Sequence, residues 1–339
     1  MKIKILIIIA LVFAACSKKK NNPSFKEILL DISLKEIAGF DISRLIKNTD
    51  ESNVFYWKDR NEENLVFLDE NGIKTQLNVE KKLKHSNFYF HNLDSVFILY
   101  KNRVYLLKDS GLIDCNFILP DSYTFLSFDN SRPIVYKNNL YCPIVYSSEP
   151  ANNKLAFKKI FKKPNIAKFN LKTGEQSLIT VWPEEFLTSF PYDFTFTFKI
   201  FKDSFILYFF KSNELFISSQ SGDFQKIKLE VLKNNPFPFE KIKDLNYVKQ
   251  ELPKQSCISG IYQLDNKFIL IKILGNNNTR KFTDNDWEIF EYNLAFELIN
   301  HKKHDRTLDV FPKLSFVLNN DIYLYVKKTD PAKFASFYY

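Results

Sequence analysis

The sequence predicts an all-β chain made of repeated four-stranded antiparallel units, and three observations predict it. Helix periodicity is scarce, and short aromatic and β-branched runs separated by turn residues follow one another from Asn53 onward. A strand–turn–strand unit recurs with a glycine in its turn, at Gly72, Gly111, Gly174 and Gly222, with successive spacings of 39, 63 and 48 residues. Each unit is preceded by one more apolar strand. Periods of this size in an all-β chain point to blades of four strands set around an axis, a β-propeller with loops of variable length.

The elements follow in order. Leu65 to Leu68, the turn Asp69-Glu70-Asn71-Gly72, and Ile73 to Val79 form the first hairpin. The second is Val104 to Leu107, Lys108-Asp109-Ser110-Gly111 and Leu112 to Leu119; the third is Ile166 to Asn170, Leu171-Lys172-Thr173-Gly174 and Glu175 to Val181. Leu215 to Ser219, Gln220-Ser221-Gly222 and Asp223 to Glu230 make the fourth. In the fifth, Trp287 to Tyr292 and Phe296 to His301 flank Asn293-Leu294-Ala295, with Ala where the others carry Gly. Glycine suits such turns because a tight hairpin needs a positive φ. The preceding strands are Val54 to Trp57, Val96 to Tyr100, Leu140 to Tyr146, Phe205 to Phe209 and Phe268 to Ile273, with a sixth at Ile322 to Val326.

After that sixth strand only a short tail remains, Phe334 to Tyr339, so the last unit lacks its outermost strand. Phe25 to Ile32 has the look of an outer strand such as Gln225 to Glu230. The expectation is six four-stranded blades, with this N-terminal segment pairing into the last blade and closing the ring. Closure leaves only short, protected edges. The alternative is two packed β domains, although no Pro-, Gly- or Ser-rich linker divides the chain.

Residues 1–15 read as a secretory signal. Lys2 and Lys4 precede an apolar run from Ile5 to Phe13 that is too short to span a membrane, and Ala14-Ala15-Cys16 closes it. This end resembles the lipobox of bacterial lipoproteins, in which the cysteine is lipidated; Phe13 stands where such boxes usually carry Leu. The organisation expected is a signal at 1–15, a lipidated tether at 16–23 and a single β-propeller domain at 24–339. Together with the hairpin repeats, Val181-Trp182-Pro183-Glu184-Glu185-Phe186 and Phe190-Pro191-Tyr192 resemble envelope lipoproteins of the Bacteroidetes group. That resemblance implies a six-bladed, TolB-like propeller with no established activity, and transfers no catalytic residue. Ser17 is compatible with outer-membrane sorting, and Lys18-Lys19-Lys20 favours the periplasmic side over the cell surface.

The chain carries a net charge of +9, which becomes +7 when Lys2 and Lys4 leave with the signal (9 − 2). The lysines are spread rather than clustered, and an exported protein rarely meets nucleic acid, so no nucleic-acid partner is expected. Lys, Asn, Ile and Phe are abundant together, as a codon-biased, AT-rich genome would produce, so the charge reads first as composition; its functional alternative is attraction to anionic polymers or lipid headgroups. With Cys16 assigned to the anchor, Cys115, Cys142 and Cys257 allow one disulfide at most and form no C-x-x-C motif, so they read as buried small hydrophobes.

In an up-and-down blade, the glycine turns mark one face and the long insertions fall on the other: Ser147 to Pro164, Trp182 to Asp193, Val231 to Gly260, Gly275 to Asp286 and His301 to Pro312. Ligands commonly bind at such a loop-rich end. The first insertion carries Lys154, Lys158, Lys159, Lys162 and Lys163 around Phe157 and Phe161, and Arg280 and Lys281 would share its face. Trp182 opens the second insertion and is the one tryptophan placed to meet a ligand. His301 and His304 are too few for a metal site, His85 and His91 are isolated, and no cofactor is expected. Glu184 with Glu185, and Asp284 with Asp286, are carboxylate pairs of a kind a glycosidase uses. No nucleophile elbow, P-loop or dinucleotide fingerprint is present. The expected function is a binding module for a protein or an anionic envelope polymer. The alternative is a propeller-type hydrolase or lyase acting on glycans.

Overall fold

The computed structural model describes residues 27–29, 47–48, 55–58, 64–68 and 74–78. From residue 87 it describes all but 93–94, 109–110, 127–130, 148–157, 189–192, 202–203, 219–222, 230, 233–236, 242–243, 276–285, 305–309, 319, 327–332 and 338–339.

The chain is all-β, and its described strands form six antiparallel sheets. Strand β1 (Glu27–Leu29) comes first in the chain but belongs to the last sheet. The first sheet runs β2 (Lys47–Asn48), β3 (Phe55–Lys58), β4 (Asn64–Leu68), β5 (Lys74–Asn78). The second runs β6 (Asn87–Asn92), β7 (Ser95–Tyr100), β8 (Arg103–Lys108), β9 (Gly111–Ile118). In the third, two short pieces, β10 (Tyr123–Phe125) and β11 (Ile134–Tyr136), both pair with β12 (Asn139–Tyr146), followed by β13 (Ile166–Asn170) and β14 (Gln176–Ile179). The fourth is β15 (Phe196–Phe201), β16 (Ser204–Phe209), β17 (Glu214–Ser218), β18 (Phe224–Lys228). The fifth is β19 (Cys257–Leu264), β20 (Lys267–Ile273), β21 (Trp287–Asn293), β22 (Leu298–His304). The sixth is β23 (Val310–Leu318), β24 (Asp321–Val326), β25 (Lys333–Phe337), with β1 outermost. Ile28 pairs with Phe334 and Glu27 with Ala335, so the N-terminal segment supplies the strand that the last unit lacked.

The apolar runs of the second strands β7, β12, β16, β20 and β24 are buried on both faces, and parity divides them between two cores. In β16, Phe205, Leu207 and Phe209 pack toward the third sheet, whereas Ile206 and Tyr208, with Phe210 just beyond, pack toward the fifth. In β20, Phe268 and Leu270 face the fourth sheet, and Ile269 and Ile271 face the sixth. Because side chains alternate with period two, a strand covered on both sides must be apolar throughout. Each buried Phe or Leu contributes roughly 2–3 kcal/mol. Outer strands face solvent, as the exposed Gln225, Lys226 and Lys228 of β18 show.

The cores therefore lie between consecutive sheets, from the first pair to the last. First strands lie beside first strands: β6 by β11, β11 by β15, β15 by β19, and β19 by β23. Tyrosines fasten these junctions. Tyr89 Oη accepts the Val135 N–H at 3.3 Å, and Tyr262 Oη reaches Ser315 Oγ at 2.5 Å. The arrangement is propeller-like.

Among the described turns, Gly174 has φ +76° and its N–H donates to Asn170 O at 2.9 Å, as the hairpin signal required. The fifth hairpin differs from the expectation. The positive φ (65°) falls on Phe296, one residue past Ala295, where left-handed backbone costs about 1–2 kcal/mol. The Phe296 ring offsets that cost by packing 4.3 Å from Phe268, and Asn293 Oδ1 accepts the Ala295 and Glu297 N–H groups.

Candidate functional site

Four antiparallel strands per sheet send the second-to-third connection and the crossover to the next sheet out at one end. That end carries the long segments 147–165, 180–195, 229–256 and 274–286, while short turns such as Lys137-Asn138 and Asp265-Asn266 occupy the other. Two of the expected insertions are shorter than the sequence suggested. His301 to His304 finish β22, paired with Phe290 to Trp287, and Val310 opens β23, which leaves 305–309 between them. The run His-Lys-Lys-His reads as loop because it is polar, but an outermost strand needs little apolar surface and is kept from sticking by charge. The Val231 insertion ends before Cys257, where β19 begins; it contains α2 (Leu245–Glu251), capped by Asp244. The shorter α1 (Glu185–Thr188) lies in the crossover after β14.

The lysine segment forms a compact turn. Residues 158–160 are helical, and the Lys162 and Lys163 N–H groups donate back to Lys159 O (3.1 Å) and Ile160 O (2.9 Å). Ile160 and Phe161 point inward and are buried, which leaves Lys158, Lys159, Lys162 and Lys163 exposed on the outer side. At about 2 Å of rise per residue, the four ammonium-bearing residues occupy roughly 10 Å of backbone, close to one Debye length at physiological salt. The Lys163 Nζ lies 5.3 Å above the Tyr146 ring.

Trp182 fixes this turn to the frame. Its Nε1–H donates to Lys163 O at 2.8 Å, and its half-buried ring lies 5.1 Å from Phe161, 5.6 Å from Phe209 and 6.3 Å from Phe196. Asn165 does the same from beneath. Fully buried, it donates to Val181 O and accepts from Val181 N, each at 2.7 Å. Sequence reading passed over Asn165, although a polar side chain between Pro164 and an apolar strand is a signal that the backbone there needs a partner.

Hydrogen bonds continue across the face. The Glu184 N–H donates to Glu214 Oε2 at 3.0 Å, and Glu185 Oε1 accepts the Asn213 N–H at 3.1 Å. Asn213 Oδ1 accepts from Val231 and Leu232 N–H, and Lys211 Nζ donates to Gln255 O and Ser256 O. Ser256 Oγ in turn accepts the Gly275 N–H at 3.1 Å. Hydrogen bonds thus join the described loop residues of three successive sheets.

The carboxylate pair Glu184 and Glu185 is engaged in this frame. Lys226 Nζ lies 2.6 Å from Glu184 Oε1 and 3.8 Å from Glu214 Oε1, and the Lys226 contact holds the Glu184 carboxyl below its ordinary range. His301 and His304 are three apart in a strand and so face opposite sides; one stacks on Phe290 and the other on Trp287, each at 4.3 Å. Among the described residues no group of three His, Cys, Asp or Glu side chains could hold a metal ion. Cys142 and Cys257 are buried, as expected, and Cys115 is half-buried with its thiol pushed up to about 11 by burial and by neighbouring Asp114. Cys16, His85, Lys154, Phe157, Arg280, Lys281 and Asp284 lie outside the described residues. No helix among the described residues is long and apolar enough to cross a membrane.

No family model matches this sequence, and no curated protein matches it. The structure is similar to a member of the DUF4221 family from Bacteroides vulgatus, with TM-score 0.65 and 13% identity over 92% of this chain and 95% of that one. It is also similar to a putative exported protein from Bacteroides fragilis, with TM-score 0.52 and 8% identity over 92% of this chain and 94% of that one. The likeness is one of fold.

Proposed function

We propose that this chain is a cell-envelope lipoprotein in which one six-bladed β-propeller, residues 24–339, acts as a binding module through its loop-rich face. Six sheets, first strands in sequential contact and an N-terminal strand completing the sixth sheet support a ring closed by β1. A lipid on Cys16 would hold the molecule to the outer membrane, facing the periplasm. The similar fold of a putative exported protein agrees with a location outside the cytoplasm.

The observation that carries the binding reading is the lysine turn: four exposed lysines within the six residues 158–163, held by the buried Phe161 and by Trp182 on a hydrogen-bonded surface. Rigid presentation lowers the ordering cost of binding. Lys154, Arg280 and Lys281 join the proposal through their place in the sequence. The test is a pull-down from envelope extracts with the chain from Ser24 onward, beside a variant in which Lys158, Lys159, Lys162 and Lys163 become Ser. A component held by the parent and lost by the variant supports the reading; equal retention by both overturns it.

A further inference from the structure

We infer that Lys163 is the anchor of the lysine turn, the residue whose ammonium meets an acidic group of the ligand, and that the Tyr146 ring positions it. This rests on the binding reading of the turn above. It adds to that reading a contact residue, a positioning residue and the chemistry of the group they take, a single carboxylate or phosphate.

Backbone restraints converge on Lys163. Its N–H donates to Ile160 O at 2.9 Å, and its carbonyl accepts the Trp182 Nε1–H at 2.8 Å. Pro164 follows and disfavours helical backbone at Lys163, which ends the turn there. Two residues on, the buried Asn165 is tied down through every polar group. Its side chain bonds both backbone groups of Val181, its N–H donates to Ile179 O at 3.0 Å, and its carbonyl accepts the Ile144 N–H at 2.9 Å. The chain leaving Lys163 is therefore fixed to β12 and β14.

The ring under the ammonium is fixed as well. Tyr146 ends β12 in register with Tyr123 of β10, and the two rings meet edge to face at 5.4 Å. Tyr123 is buried, so it backs the Tyr146 ring from the inner strand. Past the strand end, the Ser147 N–H and Oγ–H both donate to Ser122 O, at 2.8 and 3.3 Å. The 5.3 Å from Lys163 Nζ to the Tyr146 ring centroid is a cation–π contact.

A ring holds an ammonium differently from a carboxylate. A carboxylate cancels the charge that a ligand has to meet, whereas an aromatic face restrains the ammonium and leaves its charge in place. An exposed lysine ordinarily gives up rotamer freedom on binding. At Lys163 part of that freedom is already lost in the fold, and this preorganisation turns an exposed charge into an anchor. Lys158 and Lys162 are exposed on the same turn, and among the described residues neither has a ring under its ammonium. An ammonium is a point charge without the planar fork of arginine, which suits one acidic group rather than a shaped surface.

The experiment measures capture of two probes by the full chain in uncharged detergent, polygalacturonate for the carboxylate and polyphosphate for the phosphate. Lys163→Ser should weaken capture of at least one probe roughly fivefold or more, as loss of an anchor does, and Lys158→Ser and Lys162→Ser about twofold or less. Tyr146→Leu, with all four lysines in place, should weaken it roughly threefold, and Tyr146→Phe, which keeps the ring face, should match the parent. The probe that shows the contrast names the group. Equal losses from the three single lysine variants overturn the anchor and leave the turn as a diffuse charged site. Parent-like capture by Tyr146→Leu overturns the positioning role. Should Tyr146→Leu fail to fold, the three lysine variants, all at exposed positions, still decide the anchor. Equal capture by the parent and the four-lysine-to-Ser variant overturns the binding reading itself, as does a parent that captures neither probe.

Discussion

Trp182 joins two roles that a single residue can separate by substitution. Its N–H holds Lys163 O and its ring fills the space above Phe161 and Phe209. Trp182→Phe removes the hydrogen bond and should cost about 1 kcal/mol, whereas Trp182→Ala also opens a cavity and should cost about 3 kcal/mol. Urea unfolding followed by circular dichroism checks both values. The same melts on the four-lysine-to-Ser variant should stay within about 0.5 kcal/mol of the parent, as exposed substitutions do. Titratable residues add a pH dependence with a definite sign. Burial lifts Cys115 to about 11 and Tyr292 to about 12, so each contributes stability below its ordinary pKa and loses it as pH climbs to the folded value. The Tm should fall across pH 9 to 12. Glu184 has the opposite sign: its lowered pKa contributes above the ordinary carboxylate value and is lost as pH falls through the folded one. A Cys115 thiol pushed up to about 11 also holds about a hundredfold less thiolate at pH 8 than an ordinary one. Its labelling by a thiol reagent should be slower in the native chain than in urea by at least that factor.

Within single elements, the partly polar strands of the fifth sheet show where charge is tolerated inside a core. Lys272 on β20 and Glu288 on β21 pair at 2.9 Å between the fourth and fifth sheets, both with little exposure, and His301 Nε2 lies 3.6 Å from the same Glu288 oxygen. Removing one partner strands the other charge, so Glu288→Gln should cost about 3–5 kcal/mol, while the double change Lys272→Met with Glu288→Leu should be close to neutral. Equilibrium unfolding of the two variants checks the contrast. This pair was not legible in the sequence, because Lys272 and Glu288 are sixteen residues apart and meet only through the β20–β21 register. The parity of β16 was half legible. A run such as Phe205-Ile206-Leu207-Tyr208-Phe209 says that both faces are buried, but not which sheet each face meets.

For the whole molecule, β1 is a test of the fold. Its three residues pair with β25 across more than three hundred positions of chain, and without them β25 becomes an open edge. Deleting residues 24–32 should lower the Tm by roughly 3–5 °C, on the order of 2–3 kcal/mol for a domain of this size, and should increase aggregation on heating. Differential scanning fluorimetry with light scattering reads both.

The sequence alone determined the strand repeats, the second strands, the need for an N-terminal partner to the last sheet and the lysine-bearing insertion. These are properties of local pattern, namely apolar alternation, turn glycines and charge, which neighbouring residues carry between them. The shift of positive φ from Ala295 to Phe296, the strand at His301 to His304 and the engagement of Glu184, Glu185 and Trp182 were decided by tertiary structure. Each depends on a partner distant in sequence: Phe268, Trp287 to Phe290, Lys226, Asn213 and Lys163 O. A polar or aromatic side chain declares its chemistry in the sequence, but whether that chemistry is spent inward or left for a ligand is fixed only when the sheets bring its partners within hydrogen-bonding or van der Waals reach.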